Sequence, residues 1–219
     1  MNFPLSPRFQ AVLFDMDGTL LDTLSDMQDA VNHILLENGW PQRTLEEIRA
    51  FVGNGAAKLM ERAIPEPIAP QRFQEILSTY KDWYQAHNCV KTAPYPGIPE
   101  VLAELEKMGV KTAVVSNKPD ATTKALAEKF FPGMPALGQR DGVDPKPSPA
   151  LVAQALSALG VRPENAVYVG DSEVDVATAR NAGLDMIGVA WGFRGRAALE
   201  AAGAPLVADT PEQLLDMLQ

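Results

Sequence analysis

Five short apolar runs, four of them ending on a polar or acidic residue, mark the chain: AVLFD from Ala11, TAVVSN from Thr112, NAVYVGD from Asn165, MIGVAW from Met186 and PLVAD from Pro205. All are rich in β-formers, none alternates cleanly with polar residues, and helix-like stretches separate most of them. Strands apolar on both faces must be covered on both faces. The pattern therefore predicts an α/β fold, a Rossmann-like parallel sheet with crossover helices. In such sheets ligands gather beyond the carboxyl ends of the strands, near the switch in strand order. Asp15, Ser116 and Asp171 stand at such ends, so residues distant in sequence can converge on one pocket.

The alternation stops for about seventy residues between the first two runs. SDMQDAVNHILLENG places Met27, Val31, Ile34 and Leu35 on one helical face and closes on Gly39, a helix-ending residue. LEEIRAFVG, AKLMERAI and QRFQEILSTYKDWYQAH also read as helices, with the proline-rich PEPIAP as a breaker between the last two. The expected organisation is a core over residues 1–21 and 95–219 and an inserted helical bundle over 22–94. Leu20 to Leu24 and Ala93 to Gly97 are the expected linkers, with Asp22 and Thr23 as hinge candidates or a helix N-cap.

With 219 residues, 46% of them hydrophobic, the chain is large enough for a core and an insertion. No apolar run approaches the ~20 residues of a membrane span, and MNFPLSPRFQ lacks the features of a signal peptide, so a cytoplasmic location is expected. Cys89 is the single cysteine, which rules out an intrachain disulfide or a thiolate metal cluster, and His33 and His87 read as helix-surface residues. A net charge of -9 repels nucleic acid and anionic membranes. An anionic substrate therefore needs positive charge made locally in the site. Monomer and homodimer both fit.

DMDGT sets Asp15 at a strand tip and Asp17 two residues on; Gly18 allows a tight turn, and Thr19 offers a hydroxyl and an amide to an anion. A turn or N-cap cluster uses the same residues. A calcium loop does not fit, because Leu20 stands where glycine is needed and Asp26 replaces the final glutamate. GDSEVD repeats the device: Asp171 could share a hard cation with Asp15, and Asp175 one helical turn later could orient water or a lysine, while Asp171 could also cap a helix starting near Ser172. In SNKP, Ser116 and Asn117 precede a proline that opens a helix, so hydroxyl and amides face an anion. DPKPSP holds Lys146 between two prolines, expected to keep the backbone extended.

Taken in order, DMDGT, Ser116, Lys146 and GDSEVD resemble the four motifs of the haloacid dehalogenase superfamily, with the insertion where that family carries its cap. The resemblance implies a Rossmann-like core, Mg²⁺, Asp15 as nucleophile, Asp17 as general acid/base, and Gly18, Thr19, Ser116, Asn117 and Lys146 as phosphate binders. Asp15, Asp17 and Asp171 would hold the metal, with Ser172 and Asp175 behind them. Charge neutralisation must dominate when a carboxylate attacks an anionic phosphoryl group. Asp17 separates the subclasses, since a dehalogenase needs no acid for its leaving halide.

The implied substrate is a small anionic phosphorylated metabolite. DMDGT, the Gly53-Asn54-Gly55 turn and SNKP look most like the phosphoglycolate phosphatase branch. There Arg49, Gly53, Asn54 and Gly55 are the cap candidates for a second anionic group, with Lys58 and Arg62 nearby. An ordinary interhelical turn explains the same residues. A β-phosphoglucomutase-like mutase is disfavoured because its histidine and arginine positions read as Met27 and Ala56. Sugar-phosphate phosphatases, including one for N-acetylmuramate 6-phosphate, and pyrophosphatases share the motifs. A non-catalytic phosphate-binding scaffold is expected to lack Asp15, Asp17 or Lys146. WGFRG, Trp191 to Gly195, reads either as a loop over the core or as a self-association edge.

Overall fold

A computed structural model describes residues 8–219, so the first seven residues of the expected core segment lie outside the described residues. In chain order the elements are β1 (Ala11–Phe14), β2 (Leu21–Asp22), α1 (Leu24–Glu37), α2 (Leu45–Phe51), α3 (Gly55–Ala63), α4 (Pro70–His87), β3 (Ala93–Pro94) and α5 (Ile98–Lys107). They continue with β4 (Lys111–Pro119), α6 (Asp120–Phe130), β5 (Ala136–Gln139), α7 (Ala150–Leu159), β6 (Ala166–Gly170), α8 (Glu173–Ala182), β7 (Asp185–Val189), α9 (Arg196–Ala201), β8 (Leu206–Ala208) and α10 (Pro211–Leu218).

Six strands form one parallel sheet in the order β5-β4-β1-β6-β7-β8. The chain builds outward from β1 through β4 to β5, then returns to the other side of β1 for β6, β7 and β8. The switch point therefore lies at β1, between the tips that carry Ser116 and Asp171. Alternate residues of β1 feed opposite layers, as strand geometry requires: Val12 and Phe14 pack with Ile98, Leu126 and Leu214 of α5, α6 and α10. Ala11 and Leu13 pack with Leu151, Val176 and Leu199 of α7, α8 and α9. All five apolar runs are strands of this sheet. β5 is not among them, because ALGQ is short, carries Gly138 and stands beside PGMP at the sheet edge. Gly138 is required there, since a Cβ would come within 2.5 Å of the Asp120 Cα.

Helices α1–α4 enclose an apolar cluster of their own, to which Met27, Val31, Ile34 and Leu35 contribute as the periodicity predicts. Gly39, at φ 71°, follows the C-cap Asn38, and Gly39 and Trp40 N–H groups donate to Leu36 and Leu35 carbonyls, closing a Schellman motif. β2 and β3 pair antiparallel within the two expected linkers, Leu21 opposite Pro94 and Asp22 opposite Ala93. Buried Asp26 fastens the same junction: its carboxylate accepts from the N–H groups of Val90, Lys91 and Thr92 and from the Thr92 hydroxyl, all at 2.8–3.0 Å. Such charge-assisted bonds are strong, so the first turn of α1 is tied to the segment that leads into β3.

Candidate active site

The centre is the ammonium of Lys146. Its Nζ lies 2.9 Å from Asp15 Oδ1, 2.8 Å from Asp175 Oδ1 and 3.0 Å from the Tyr168 hydroxyl, which uses all three of its protons. Burial opposes the charge, but Asp15 and Asp175 outweigh it and raise the Lys146 pKa well above the ordinary value. Asn117 positions the lysine by its backbone, accepting from Lys146 N at 2.7 Å and donating to Lys146 O at 3.0 Å. The extended conformation expected around Lys146 is corrected: residues 145–148 form a turn with a cis Lys146–Pro147 bond, closed by Ser148 N–H on Pro145 O.

Asp15 Oδ1 is occupied by Lys146 and by Met16 N–H at 2.7 Å, which leaves Oδ2 open towards the cavity. Burial, opposed by Lys146, raises the Asp15 pKa to about 7, with Asp175 and Asp17 adding to the rise. Asp17 sits at the cavity wall in a different setting. Thr23 donates to its Oδ1 at 2.7 Å, and Lys118 Nζ spans both oxygens at 2.9 and 3.1 Å. Lys118 also donates to the Tyr84 hydroxyl at 2.8 Å, which joins the core carboxylate to α4. Thr23 is the N-cap position of α1, but its hydroxyl is spent on Asp17 rather than on the helix.

Asp171 is not the N-cap of α8. Ser172 takes that position in a capping box with Asp175, whose Oδ2 accepts from Ser172 N and Oγ. Asp171 is thereby freed to face Asp15. Its Oδ2 accepts from Phe193 N–H at 2.6 Å, and Gly18 and Gly192 crowd it so closely that a Cβ on either would lie within 2.5 Å of it. Oxygens of Asp15, Asp171 and Asp175 lie within 4.8 Å of one another. Asp15 and Asp171 line the cavity whereas Asp175, held by Lys146 and Ser172, does not, so Asp15 and Asp171 are the fitting pair for a hard cation. Burial, reinforced by Asp175 and Asp15, raises the Asp171 pKa well above the carboxylate range. Buried carboxylates set this close fit a divalent cation, which would relieve their repulsion.

A cavity of about 260 Å³ opens between this cluster and helices α1–α4. Asp15, Asp17, Ser116, Asn117, Asp171 and Ser172 line it, as do Gly53 and Gly55, Met27 and Ala56. Five expected contacts fall elsewhere, the first being Lys146, which does not line the cavity and gives its three protons to Asp15, Asp175 and Tyr168. The Gly18 and Thr19 amides bond to Leu21 and Met16 carbonyls and the Thr19 hydroxyl turns to Asp171, so neither residue faces an anion in the cavity. Arg49 is exposed, outside the lining, and the Asn54 side chain accepts from Arg62, which also caps the Phe51 carbonyl. Lys58 pairs with Glu61 on the surface.

The family model for "Haloacid dehalogenase-like hydrolase" matches residues 12–189, across both the sheet and the inserted helices. The chain belongs to this hydrolase family. Its relatives place it in the phosphatase branch. It is 34% identical to a phosphoglycolate phosphatase of Pseudomonas putida over 95% of this chain and 76% of that one. It is 33% identical to an N-acetylmuramic acid 6-phosphate phosphatase of Pseudomonas aeruginosa over 96% and 95% of the two chains. A crystal structure from Lactobacillus delbrueckii subsp. bulgaricus, ascribed to the phosphoglycolate phosphatases, superimposes with a TM-score of 0.90 at 36% identity, covering 96% and 98%.

Three residues of this haloacid dehalogenase-like hydrolase are not marked by the sequence patterns. Lys118 lies inside SNKP, where the anion-facing serine and asparagine overshadow it. Arg194 belongs to the Trp191–Gly195 loop, which crosses the core site: Trp191 donates to Thr19 O at 3.1 Å, and the Arg194 guanidinium donates to the Arg49 and Val52 carbonyls at the end of α2. Tyr84 reads only as part of a helix. Each joins core to inserted helices, a relation that spacing within one segment does not reveal.

Proposed function

We propose that this chain is a Mg²⁺-dependent phosphomonoesterase that works through an aspartyl-phosphate on Asp15, with 2-phosphoglycolate as the first-choice substrate. The observation that carries the reading is Asp15 itself: one oxygen pinned by Lys146 and Met16 N–H, the other open to a cavity whose wall also holds Asp17. Asp15 Oδ2 attacks phosphorus and the bond to the ester oxygen breaks. Asp17 protonates the departing alkoxide, then takes a proton from the water that attacks the phospho-enzyme, and orthophosphate leaves as Asp15 is regenerated. Ser116 binds a phosphoryl oxygen through its hydroxyl, Asn117, its side chain spent on the Lys146 backbone and the Gly53 carbonyl, holds Lys146 in place, and Lys146 fixes Asp15 while offsetting charge. Mg²⁺, held by Asp15, Asp171 and the Asp17 carbonyl, would neutralise the anionic oxygens.

The inserted unit, residues 22–94, acts as a cap that turns on the two paired linkers. Bonds from Arg194, Asn117 and Lys118 to the Val52 and Gly53 carbonyls and the Tyr84 hydroxyl support a closed position here. No described helix is long and apolar enough to cross a membrane, and a lone Cys89 suits a cytoplasmic setting.

A second substrate, N-acetylmuramate 6-phosphate, is favoured by one observation: Met27, Val52, Leu59 and Phe193 line the organic side of the cavity while Arg49, Lys58 and Arg62 stand outside it. The near-complete coverage of the relative of that name points the same way. Phosphate release from both esters, pyrophosphate, hexose phosphates and nucleoside monophosphates, compared as kcat/KM at fixed Mg²⁺, decides between them. A tenfold preference, about 1.4 kcal/mol, for the sugar phosphate overturns the phosphoglycolate assignment. No release from any ester overturns the phosphatase assignment.

A further inference from the structure

Helix α4 sends two phenols to the cavity, Tyr80 and Tyr84, four residues apart on one face, with rings parallel within 3° and centroids 5.8 Å apart. Both side chains are at least nine-tenths buried. Their hydroxyls have unlike fates. Tyr84 accepts from Lys118 and keeps its own proton to give. The Tyr80 hydroxyl has no hydrogen-bond partner among the described residues, and no fully buried side-chain polar atom is left unpaired there. The Tyr80 hydroxyl is thus the part of that side chain that reaches the open cavity. Burial raises both phenol pKa values, so each remains an O–H donor. An unpaired donor at the wall of a mostly apolar cavity is costly unless something else completes it.

Resting on the phosphomonoesterase reading, we propose that Tyr80 is a specificity-determining residue whose phenol donates to an oxygen acceptor on the leaving alcohol of the substrate. The substrate class is then an alkyl phosphate bearing a hydroxyl, carbonyl or carboxylate on a short carbon frame, its apolar carbons lying against Met27 and Leu59, which line the same cavity. Tyr84 acts differently, since through Lys118 it holds Asp17, and its substitution affects every ester. Tyr80 makes no hydrogen bond to a lysine or a carboxylate among the described residues, so its phenol reads the alcohol.

The test compares Tyr80→Phe with wild type on 2-phosphoglycolate, N-acetylmuramate 6-phosphate and phenyl phosphate, whose leaving group has no acceptor beyond the ester oxygen. The ratio of kcat/KM for the better alkyl ester to that for phenyl phosphate falls about tenfold in the variant, and KM carries the change, because a site built for a hydrogen bond penalises its loss. A fall of less than threefold overturns the proposal. Should the variant fail to fold, the same question goes to the wild type with 2-hydroxyethyl phosphate against ethyl phosphate: about tenfold in favour of the hydroxyl is expected, and equality overturns it. A wild type that hydrolyses none of these esters, phenyl phosphate included, overturns the phosphatase reading instead.

Discussion

On the core side of the cavity every ionic group already has polar partners: Asp15 has two, Lys146 has three, and Asp17 is spanned by Lys118 and Thr23. On the cap side Met27, Val52, Leu59 and two phenols share the wall with Lys81, Asp82 and Gln85 of α4, and the Tyr80 hydroxyl is unassigned. The core wall is rigid because a buried charge left unpaired is very costly, so each residue there depends on the others. The cap wall relies on burial and shape, which tolerate substitution. The two walls divide the work of the proposed reaction. In the proposed function the core handles the phosphoryl group common to all esters, and the inserted helices handle the alcohol that distinguishes them.

Substitutions of the core carboxylates and lysine should break the molecule or its chemistry. Asp15→Asn, nearly isosteric, should lower kcat by roughly four orders of magnitude or more while circular dichroism stays native. Near-normal turnover would remove the basis for covalent catalysis. Lys146→Met leaves two buried carboxylates without their shared cation and should cost about 3–5 kcal/mol in urea unfolding. A loss below 1 kcal/mol would mean that the core wall is no more interdependent than the cap.

The buried carboxylates also make the core wall sensitive to pH. Asp15 has a folded pKa of about 7 against 3.8 when unfolded, so its protonated form stabilises the metal-free fold. That contribution is complete below about pH 4 and is lost as pH rises through about 7, with Asp171 acting in the same direction. Mg²⁺ needs the carboxylates ionised. Its addition should therefore raise the Tm more at pH 8 than at pH 5, and an equal or reversed effect would place the metal elsewhere.

Smaller effects belong to the cap. Arg194→Ala removes the donors to the end of α2 and should speed amide exchange in residues 49–56 severalfold, with little change in the sheet. Arg49→Ala should alter kcat/KM for 2-phosphoglycolate less than twofold, because the side chain lies outside the cavity. A tenfold loss would restore it as a substrate contact.

Legibility in the sequence follows the same division. β1, β4 and β6 announce themselves because strands covered on both faces must be apolar throughout, and their tips then place Asp15, Ser116 and Asp171 near one another from the sequence pattern alone. Gly18 and Thr19 mislead, since a motif residue can serve by packing behind Asp171 as well as by facing a ligand. Arg49 falls outside the cavity for another reason, whereas Lys58 and Arg62 read as solvated cations and are surface-paired. Charge near a turn is visible in sequence, but the rotamer that carries it away from the cavity is not. Tyr80, Tyr84 and Arg194 gain meaning only when the cap meets the core, and no local periodicity encodes that contact.

The most direct measurement of covalent catalysis at Asp15 is an acid quench of the enzyme during turnover of 2-phosphoglycolate or phenyl phosphate in Mg²⁺, followed by mass spectrometry of the peptide that carries Asp15. A phosphoryl group on Asp15, formed and lost at rates that match turnover and missing from Asp15→Asn, is the predicted result. Steady phosphate release with no phosphoryl group on that peptide at any quench time would contradict it.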